Sequence, residues 1–402
     1  MNWYECAILG IVAIGATIAL VPLAKKIAIR FDAIDYPNER RVNTKPTPRL
    51  GGVAIFGGIF VSLIVLVLGI NFWGWPSPFV SHPDLTVNYY GVGLSIVVIF
   101  VVGLIDDFKD LNPKVKFLGQ IIAAIIAVCS GLLLSSIHMP FGGDYFEFGW
   151  FSYPLTVFYL VAFANIINLI DGLDGLAAGI VVISALTMFV FTVMTARPDA
   201  AVLCIILMGA CLGFLVFNFH PASIFMGDSG SLLLGYLLGA ISLMAIARST
   251  MFVSLMIPII VAGVPVVDTA SAIVRRLRGH RPIDEADKGH IHHRLLETGY
   301  SQRATVMIMW TWSALLSVCA VLMMSFAGAP RYAVMVVVIV LTAVIIIKMG
   351  LFAPVLRHHY HPRGSKPNEL DQDETPCASN DEERHTAGVD ASFVASQEEI
   401  DG

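Results

Sequence analysis

Long apolar runs separated by short polar connections occupy most of the chain. An α-helix needs about 20 apolar residues to cross the hydrocarbon core of a bilayer. The runs therefore predict an all-α, polytopic integral membrane protein with about eleven transmembrane helices. The predicted spans are 4–24, 51–70, 89–105, 117–137, 154–170, 175–195, 200–217, 230–247, 251–274, 304–326 and 331–350.

Composition agrees with this interpretation. Hydrophobic residues make up 56% of the 402 positions and charged residues 14%, whereas soluble domains contain about 25% charged residues. The start, "MNWYECAILG", has no basic segment before its apolar run, and Lys25, Lys26 and Arg30 follow that run instead of a cleavage site. We therefore expect an uncleaved first span with the N-terminus outside the cell.

The distribution of basic residues orients the predicted spans. With the N-terminus outside, the segments 25–49, 109–116, 275–303 and 348–384 lie inside and hold all Lys and Arg residues except Arg197, Arg248 and Arg331. This bias follows the positive-inside rule and places the C-terminus in the cytoplasm. The net charge of -5 argues against a nucleic-acid partner.

The last part of the chain differs in composition from the rest. From about residue 357 it is acidic and polar, as in "NELDQDETPCASNDEERHTAG". Such segments cannot bury enough apolar surface to fold. The sequence thus predicts a transmembrane catalytic domain over 1–356 and a disordered cytoplasmic tail over 357–402.

Acidic residues gather at the inner ends of two predicted spans. Asp106 and Asp107 end the third span, where the helix dipole already disfavours anions. The fifth span carries polar residues in steps of three, which predicts a polar ladder on one helix face. This ladder consists of Asn165, Asn168, Asp171 and Asp174.

Carboxylates beside lipid are costly unless a cation neutralises them. Oxygen ligands without paired Cys or His suit Mg²⁺ or Mn²⁺ better than Zn²⁺. Three alternatives stay open. Asp107 and Asp110 could pair with nearby lysines in a solvated loop. Asp228, in "FMGDSGS", could be a metal ligand or the N-cap of the eighth span. Asp268 could pair with the arginines that follow it.

A basic, histidine-rich segment, "GHRPIDEADKGHIHHR", lies on the same predicted side. Its donors suit anionic oxygens, and no cysteine completes a zinc site there. Together with the carboxylates, it indicates chemistry on a phosphorylated substrate at the cytoplasmic surface, where lipid also has access.

Five motifs closely resemble the polyprenyl-phosphate N-acetylhexosamine-1-phosphate transferase family over residues 35–303. They are "RLGG", "DDFKDLNPKVKF", "NIINLIDGLDGLA", "FNFHPASIFMGDSGS" and "KGHIHHRLLETG". The "HIHHR" segment is similar to the WecA-type branch, while the three-histidine run of the MraY-type branch is absent. That difference disfavours a muramoyl-pentapeptide substrate.

The resemblance implies transfer of N-acetylglucosamine-1-phosphate from UDP-GlcNAc to undecaprenyl phosphate, with Mg²⁺ and with Mn²⁺ as a substitute. The products would be undecaprenyl-diphosphate-GlcNAc and UMP, in the first step of a cell-envelope polysaccharide such as O-antigen. It also implies a homodimer in the bacterial inner membrane, with the active site facing the cytoplasm. Direct attack by the lipid phosphate is favoured over a covalent aspartyl intermediate.

The same resemblance implies roles for individual residues. Asp228 is the expected main metal ligand, with Asp107 close to the metal. The expected catalytic residues are Asp106, Asp107, His292 and His293. The expected substrate-binding residues are Lys45, Arg49, Lys116, Asn168, Asp171, Asp174, Asn218, Phe225, His290 and Arg294.

Three other hypotheses remain at this stage. The enzyme could use another UDP-sugar or UDP-MurNAc-pentapeptide. The carboxylates could serve an ion-coupled transporter, although transporter sites lie near the bilayer midplane. A lipid-binding scaffold without chemistry would keep its function when Asp106 is replaced by Asn.

Overall fold

The computed structural model describes residues 2–37, 45–79, 87–138, 145–246, 258–278, 290–326 and 328–348. All of them belong to the compact unit Met1–Leu356, and the predicted tail over 357–402 lies outside the described residues. The helices are α1 (Trp3–Arg30), α2 (Gly51–Phe72), α3 (Tyr89–Lys109), α4 (Pro113–Cys129), α5 (Ser152–Ile170), α6 (Leu176–Met194), α7 (Pro198–Asn218), α8 (Gly227–Ile246), α9 (Gly263–Arg278), α10 (Ile291–Glu297), α11 (Gln302–Ser325) and α12 (Ala329–Lys348).

Two short antiparallel pairs accompany the helices. Strand β1 (Ile34–Asp35) pairs with β2 (Thr47–Pro48), and β3 (Ser136–His138) pairs with β4 (Tyr145–Glu147). A single 3₁₀ turn, Gly149–Phe151, precedes α5. Regular structure in the described residues is therefore almost entirely helical, as the apolar runs predict.

Nine helices in the described part of the chain are long and apolar enough to cross a membrane. This confirms an all-α, polytopic membrane protein. Two predicted spans correspond to shorter helices. The fourth becomes α4, with 17 residues, and the ninth, predicted over 251–274, is described only from residue 258 and contains α9.

The predicted end of the fourth span at residue 137 is wrong. Helix α4 stops at Cys129, where the Ser130 amide and hydroxyl both bond back to the Ile126 carbonyl. Gly131 then adopts a φ of +86°, a left-handed conformation that glycine tolerates well. The apolar residues beyond it belong to neither a helix nor a strand and lead into β3.

The end of α3 differs from the prediction, whereas α5 ends at the predicted residue 170. Helix α3 continues to Lys109, so Asp106 and Asp107 lie in its last turn. Helix α5 ends at Ile170 with Asp171 as its C-cap, which leaves Asp174 in the turn before α6. The predicted polar ladder is therefore wrong for Asp174, because the helix stops before reaching it.

Helix α8 lies at the centre of the bundle. It packs against α3, α5 and α2, and almost all of its residues are buried. The hydroxyl of Tyr236, fully buried, donates to the Ala123 carbonyl of α4 at 2.9 Å. Helix α8 is thus held in place by neighbours on several sides.

Candidate active site

The span ends that the sequence predicts to lie inside the cell meet at one end of the bundle. Because successive helices run in opposite directions, the C-terminal ends of α3, α5 and α7 lie with the N-terminal ends of α4, α6 and α8. A cavity of about 760 Å³ opens there, within the range of typical small-molecule sites. Ten of the predicted site residues line it: Lys45, Arg49, Asp107, Asn168, Asp171, Asp174, Asn218, Phe225, Asp228 and His293.

Asp107 joins α3 to the start of α8. Its two carboxylate oxygens accept the backbone N–H groups of Asp228 at 2.7 Å and Ser229 at 3.0 Å. The first N–H groups of a helix lack partners within the helix and attract negative charge. A Cβ atom at Gly103 would lie 2.6 Å from the Ser229 Cα, so a glycine is needed for this close approach. Asp107 therefore caps α8 from outside.

Asp228 itself lies inside the first turn of α8, which begins at Gly227. The alternative that it is the N-cap is therefore wrong. Its Oδ1 atom lies 3.0 Å from the Lys116 ammonium and also accepts the side-chain amide of Asn168. Asn168 donates in addition to Ser231 at 2.8 Å. Residues of α4 and α5 thus orient the Asp228 carboxylate.

Lys116 links the two acidic ends. Its ammonium lies 2.9 Å from Asp106 Oδ2 and 3.0 Å from Asp228 Oδ1. The other oxygen of Asp106 accepts the Leu111 N–H at 2.6 Å. Asp106 and Lys116 lie behind the cavity lining, so Asp106 is connected to the cavity through Lys116 and Asp228.

The alternative that Asp107 and Asp110 merely pair with nearby lysines in a solvated loop does not describe the contacts that the structure gives these two residues. Asp107 is only 2% exposed and binds backbone groups. Asp110 pairs with Arg49 at 2.8 Å. Arg49 also donates from Nε to the Asp107 carbonyl at 3.1 Å, so the "RLGG" motif supports the end of α3.

The "RLGG" motif also holds the segment before α8. The Gly51 N–H donates to the Phe225 carbonyl at 2.9 Å, and the Gly52 N–H donates to the Met226 carbonyl at 2.7 Å. The Phe225 N–H donates to Pro48 at 2.8 Å. These backbone bonds fix Phe225 as a half-buried ring in the cavity wall.

Asp171 has a different environment from the other carboxylates. Its side chain is half-buried, lines the cavity and accepts no hydrogen bond within the described ranges. Burial, together with the negative charges of Asp228, Asp107 and Asp174, raises the pKa of Asp171 to about 8. No positive side chain among the described residues pairs with this carboxylate to stabilise its charged form.

The oxygen ligands near Asp171 in the cavity fit a hard divalent cation. Carboxylate oxygens of Asp171 and Asp228 face the same space, and Mg²⁺ usually takes one or two carboxylates plus substrate phosphates. Across the described ranges, no three His, Cys, Asp or Glu side chains form a ready-made metal cage. The fit is therefore to an ion whose coordination a phosphorylated substrate completes.

Asp174 and Asn218 organise the loop after α7. Asp174 Oδ2 lies 2.7 Å from His220 Nδ1 and accepts the Ala222 N–H at 3.0 Å. The Asn218 amide, 3% exposed, bridges the Gly175 N–H and the Ile224 carbonyl, each at 3.0 Å. Both residues line the cavity.

His220 is a cavity residue that the sequence interpretation missed. Its Nδ1 faces Asp174, while its Nε2 has no hydrogen-bond partner among the described residues. Asp35, Thr47 and Gln302 also line the cavity without having been predicted. His220 stands inside the quoted motif "FNFHPASIFMGDSGS", so the motif contained the signal.

The histidine segment contributes unevenly. His293 lines the cavity, whereas His290 is buried and bonds through Nδ1 to Asp268 Oδ2 at 2.9 Å. His292 packs on the α5–α6 turn, where a Cβ at Gly172 would lie 2.7 Å from its Nε2. Burial lowers the pKa of His292 to about 3, so its imidazole is neutral near pH 7.

Five predicted site residues lie outside the cavity lining: Asp106, Lys116, His290, His292 and Arg294. Among the described contacts, the Asp268 carboxylate bonds to His290 and to the Ile291 N–H. The structure thus brings the motifs together while giving several of their residues supporting contacts.

Comparison with known proteins gives concordant matches. Residues 89–246 match the sequence profile "Glycosyl transferase family 4". The chain is 41% identical over 315 residues to a probable undecaprenyl-phosphate N-acetylglucosaminyl 1-phosphate transferase of Bacillus subtilis, covering 78% of this chain and 84% of the relative. It is 38% identical to a decaprenyl-phosphate N-acetylglucosaminephosphotransferase of Mycolicibacterium smegmatis, covering 85% and 87%. A phospho-N-acetylmuramoyl-pentapeptide-transferase of Halalkalibacterium halodurans is 33% identical, with 70% and 86% covered.

Proposed function

The chain belongs to glycosyl transferase family 4, and on that premise we propose that it transfers N-acetylglucosamine-1-phosphate from UDP-GlcNAc to undecaprenyl phosphate. The products are undecaprenyl-diphosphate-GlcNAc and UMP. The two relatives of highest identity reported above both carry names for GlcNAc-phosphate transfer to a polyprenyl phosphate. The protein is thus a membrane-embedded phosphoglycosyltransferase rather than an ion-coupled transporter or a scaffold.

The observation that carries this proposal is the joining of three helix ends around one cavity. Asp107, Asp228 and Lys116 come from α3, α8 and α4 and are linked by contacts of 2.7 Å and 3.0 Å. Together with Arg49 and Lys45 in the cavity wall, they provide both signs of charge. A reaction between two phosphorylated substrates needs such a site, because two anions must be brought together.

The proposed topology places this end of the bundle, with the active site, on the cytoplasmic side of the membrane. We propose eleven spans, with α4 and the segment containing α9 added to the nine long helices, and the N-terminus outside. The active site then faces the cytoplasm at the inner membrane of a bacterium, where basic residues concentrate. The homodimer, the catalytic-domain boundary at 356, the disordered tail and the downstream polysaccharide stay predictions.

In the proposed reaction, an oxygen of the lipid phosphate attacks the β-phosphorus of UDP-GlcNAc. A new P–O bond forms, the bond to the UMP oxygen breaks, and UMP leaves. The protein contributes mainly by positioning the reactants and stabilising charge. Lys116 holds Asp106 and Asp228 at 2.9 Å and 3.0 Å, and Arg49 and His293 line the space available to phosphate oxygens.

Asp228 and Asp171 would hold Mg²⁺, or Mn²⁺ in its place, and Asp107 would hold Asp228 in position close to the metal. The cation would neutralise developing charge on the diphosphate. The positive end of α8 adds its own attraction for anions near Asp228. His292 is neutral near pH 7 and would contribute hydrogen bonding and packing rather than charge.

The test supplies purified protein with labelled UDP-GlcNAc, undecaprenyl phosphate and Mg²⁺. We expect a labelled lipid and one UMP per transfer, both abolished by EDTA or by Asp228→Asn. Ser271→Ala, a change in a buried residue of α9 outside the cavity lining, is the matched control and should retain activity. Absence of both products with the wild-type protein would overturn the proposed function.

A second candidate substrate is UDP-MurNAc-pentapeptide. The relative of Halalkalibacterium halodurans carries a name for that substrate, yet its identity to this chain is lower than that of the GlcNAc-type relatives. Transfer from UDP-MurNAc-pentapeptide but not from UDP-GlcNAc would decide for this candidate.

A further inference from the structure

Asp268 is a deeply buried carboxylate that the proposed reaction does not use. It lies on α9 with 1% of its surface exposed. Oδ2 lies 2.9 Å from His290 Nδ1, and Oδ1 accepts the Ile291 N–H at 2.8 Å. The two oxygens thus hold two successive residues at the start of α10.

Helix α10 needs such an anchor. It contains only seven residues, and isolated helices of that length are unstable in water. His290 is its N-cap residue but makes no side-chain cap bond to the helix. The carboxylate of Asp268 accepts the first helical N–H in its place, so the cap of α10 comes from another helix.

The anchored helix carries two histidines toward the cavity. The rings of His290 and His292 are stacked with centroids 5.7 Å apart, and those of His292 and His293 lie 4.4 Å apart. His292 packs against the turn at Gly172, and His293 lines the cavity. His292 Nδ1 is buried without a partner in the described residues, so its own hydrogen bonds do not fix this ring.

We propose that Asp268 is a positioning residue that places His293 in the cavity by anchoring α10 to α9. This inference depends on the proposed function for its catalytic consequence. Its structural consequence can be measured separately. Replacing the carboxylate leaves the buried His290 and Ile291 donors with at most one acceptor, a situation that proteins avoid.

The first measurement is hydrogen–deuterium exchange of peptides covering 291–297 in the full-length protein. We expect exchange of these amides to rise at least tenfold in Asp268→Asn. Ser271→Ala is the control, because Ser271 lies one turn further along α9 and is equally buried, and its hydroxyl donates to the Asp268 backbone carbonyl. Unchanged exchange in Asp268→Asn would overturn the proposal whether or not the protein transfers sugar phosphate.

The second measurement is a double-mutant cycle on kcat/KM for UDP-GlcNAc. If Asp268 acts through His293, then Asp268→Asn should lower kcat/KM tenfold or more in the wild-type background. The same change should have less than a threefold effect in His293→Ala. Multiplicative losses in the double variant would refute action through His293. An inactive wild type would count against the proposed function only.

If Asp268→Asn fails to fold, two substitutions of its partner His290 test the same contact. In His290→Asn the side-chain amide can take the place of Nδ1 and donate to Asp268, whereas in His290→Gln it lies in the place of Nε2. We expect activity and protected exchange in the Asn variant and loss of both in the Gln variant. The reverse order would overturn the anchoring role.

Discussion

Replacement of Asp107 by Asn tests whether the end of α3 holds the start of α8. The native carboxylate accepts two backbone N–H groups at 2.7 Å and 3.0 Å while being 2% exposed. Asn keeps one acceptor oxygen, and its NH₂ group then faces a backbone donor. A hydrogen bond to a charged group contributes about 1.5–3 kcal/mol, and an unsatisfied buried donor costs about 1–3 kcal/mol.

Because these two terms overlap, we expect Asp107→Asn to lower the free energy of unfolding by about 2–4 kcal/mol. Asp110→Asn is the matched control. Asp110 lies three residues further along the chain, and its side chain is 82% exposed. The substitution removes its ion pair with Arg49. Such a surface pair contributes less than about 1 kcal/mol.

The assay is unfolding of the purified protein by a denaturing detergent, with transferase activity measured over a Mg²⁺ titration in the same preparations. Asp107→Asn should lose stability and kcat together, because Asp228 moves with the start of α8. If Asp107→Asn were as stable as Asp110→Asn while needing at least tenfold more Mg²⁺, Asp107 would be a metal ligand instead of a cap.

The remaining predictions concern charge and protonation around the cavity. Lys116→Met should lower kcat more than 100-fold. It should also lower the Mg²⁺ concentration that gives half-maximal activity, because the ammonium 3.0 Å from Asp228 no longer competes with the cation. A higher Mg²⁺ requirement in this variant would contradict the prediction. The pKa of His292 is lowered to about 3, so the unfolded chain takes up a proton below about pH 6.5 that the folded chain does not. Stability should therefore fall by about 2 kcal/mol between pH 7 and pH 5, and His292→Gln should lessen this loss in unfolding measurements; an equal loss in both proteins refutes it. His220→Asn can still donate to Asp174, whereas His220→Gln retains a polar group near Nε2. If Nε2 contacts the nucleotide, the Asn variant should show the larger rise in KM for UDP-GlcNAc, and the opposite order would indicate a purely supporting ring.

The sequence predicted most helices because crossing a bilayer demands long apolar runs, and composition alone identifies such runs. It could not place the end of α4, since "CSGLLLSS" stays apolar beyond the point where Ser130 and Gly131 terminate the helix. Hydropathy reports burial in lipid or protein. It does not report whether the backbone is helical or extended.

In the candidate site, too, some features could be predicted from the sequence and others could not. Motif spacing identified nearly all the acidic residues that the structure gathers, because each motif lies at a helix end. The partners of those residues could not be predicted, since Asp107 reaches Asp228 across 121 positions and His290 reaches Asp268 across 22. Such pairings depend on how helices pack, which a single sequence does not determine.

The burial of α8 has a consequence for how the protein is made. This helix is the least apolar of the nine long helices, and it carries Ser231, Tyr236 and Ser242 along its length. Standing alone in lipid, those hydroxyl groups would have few partners. The helix that carries Asp228 is thus poorly suited to enter the bilayer by itself. For α8 to be stable in the membrane, α3, α4 and α5 must already be inserted, so that they and not lipid surround it.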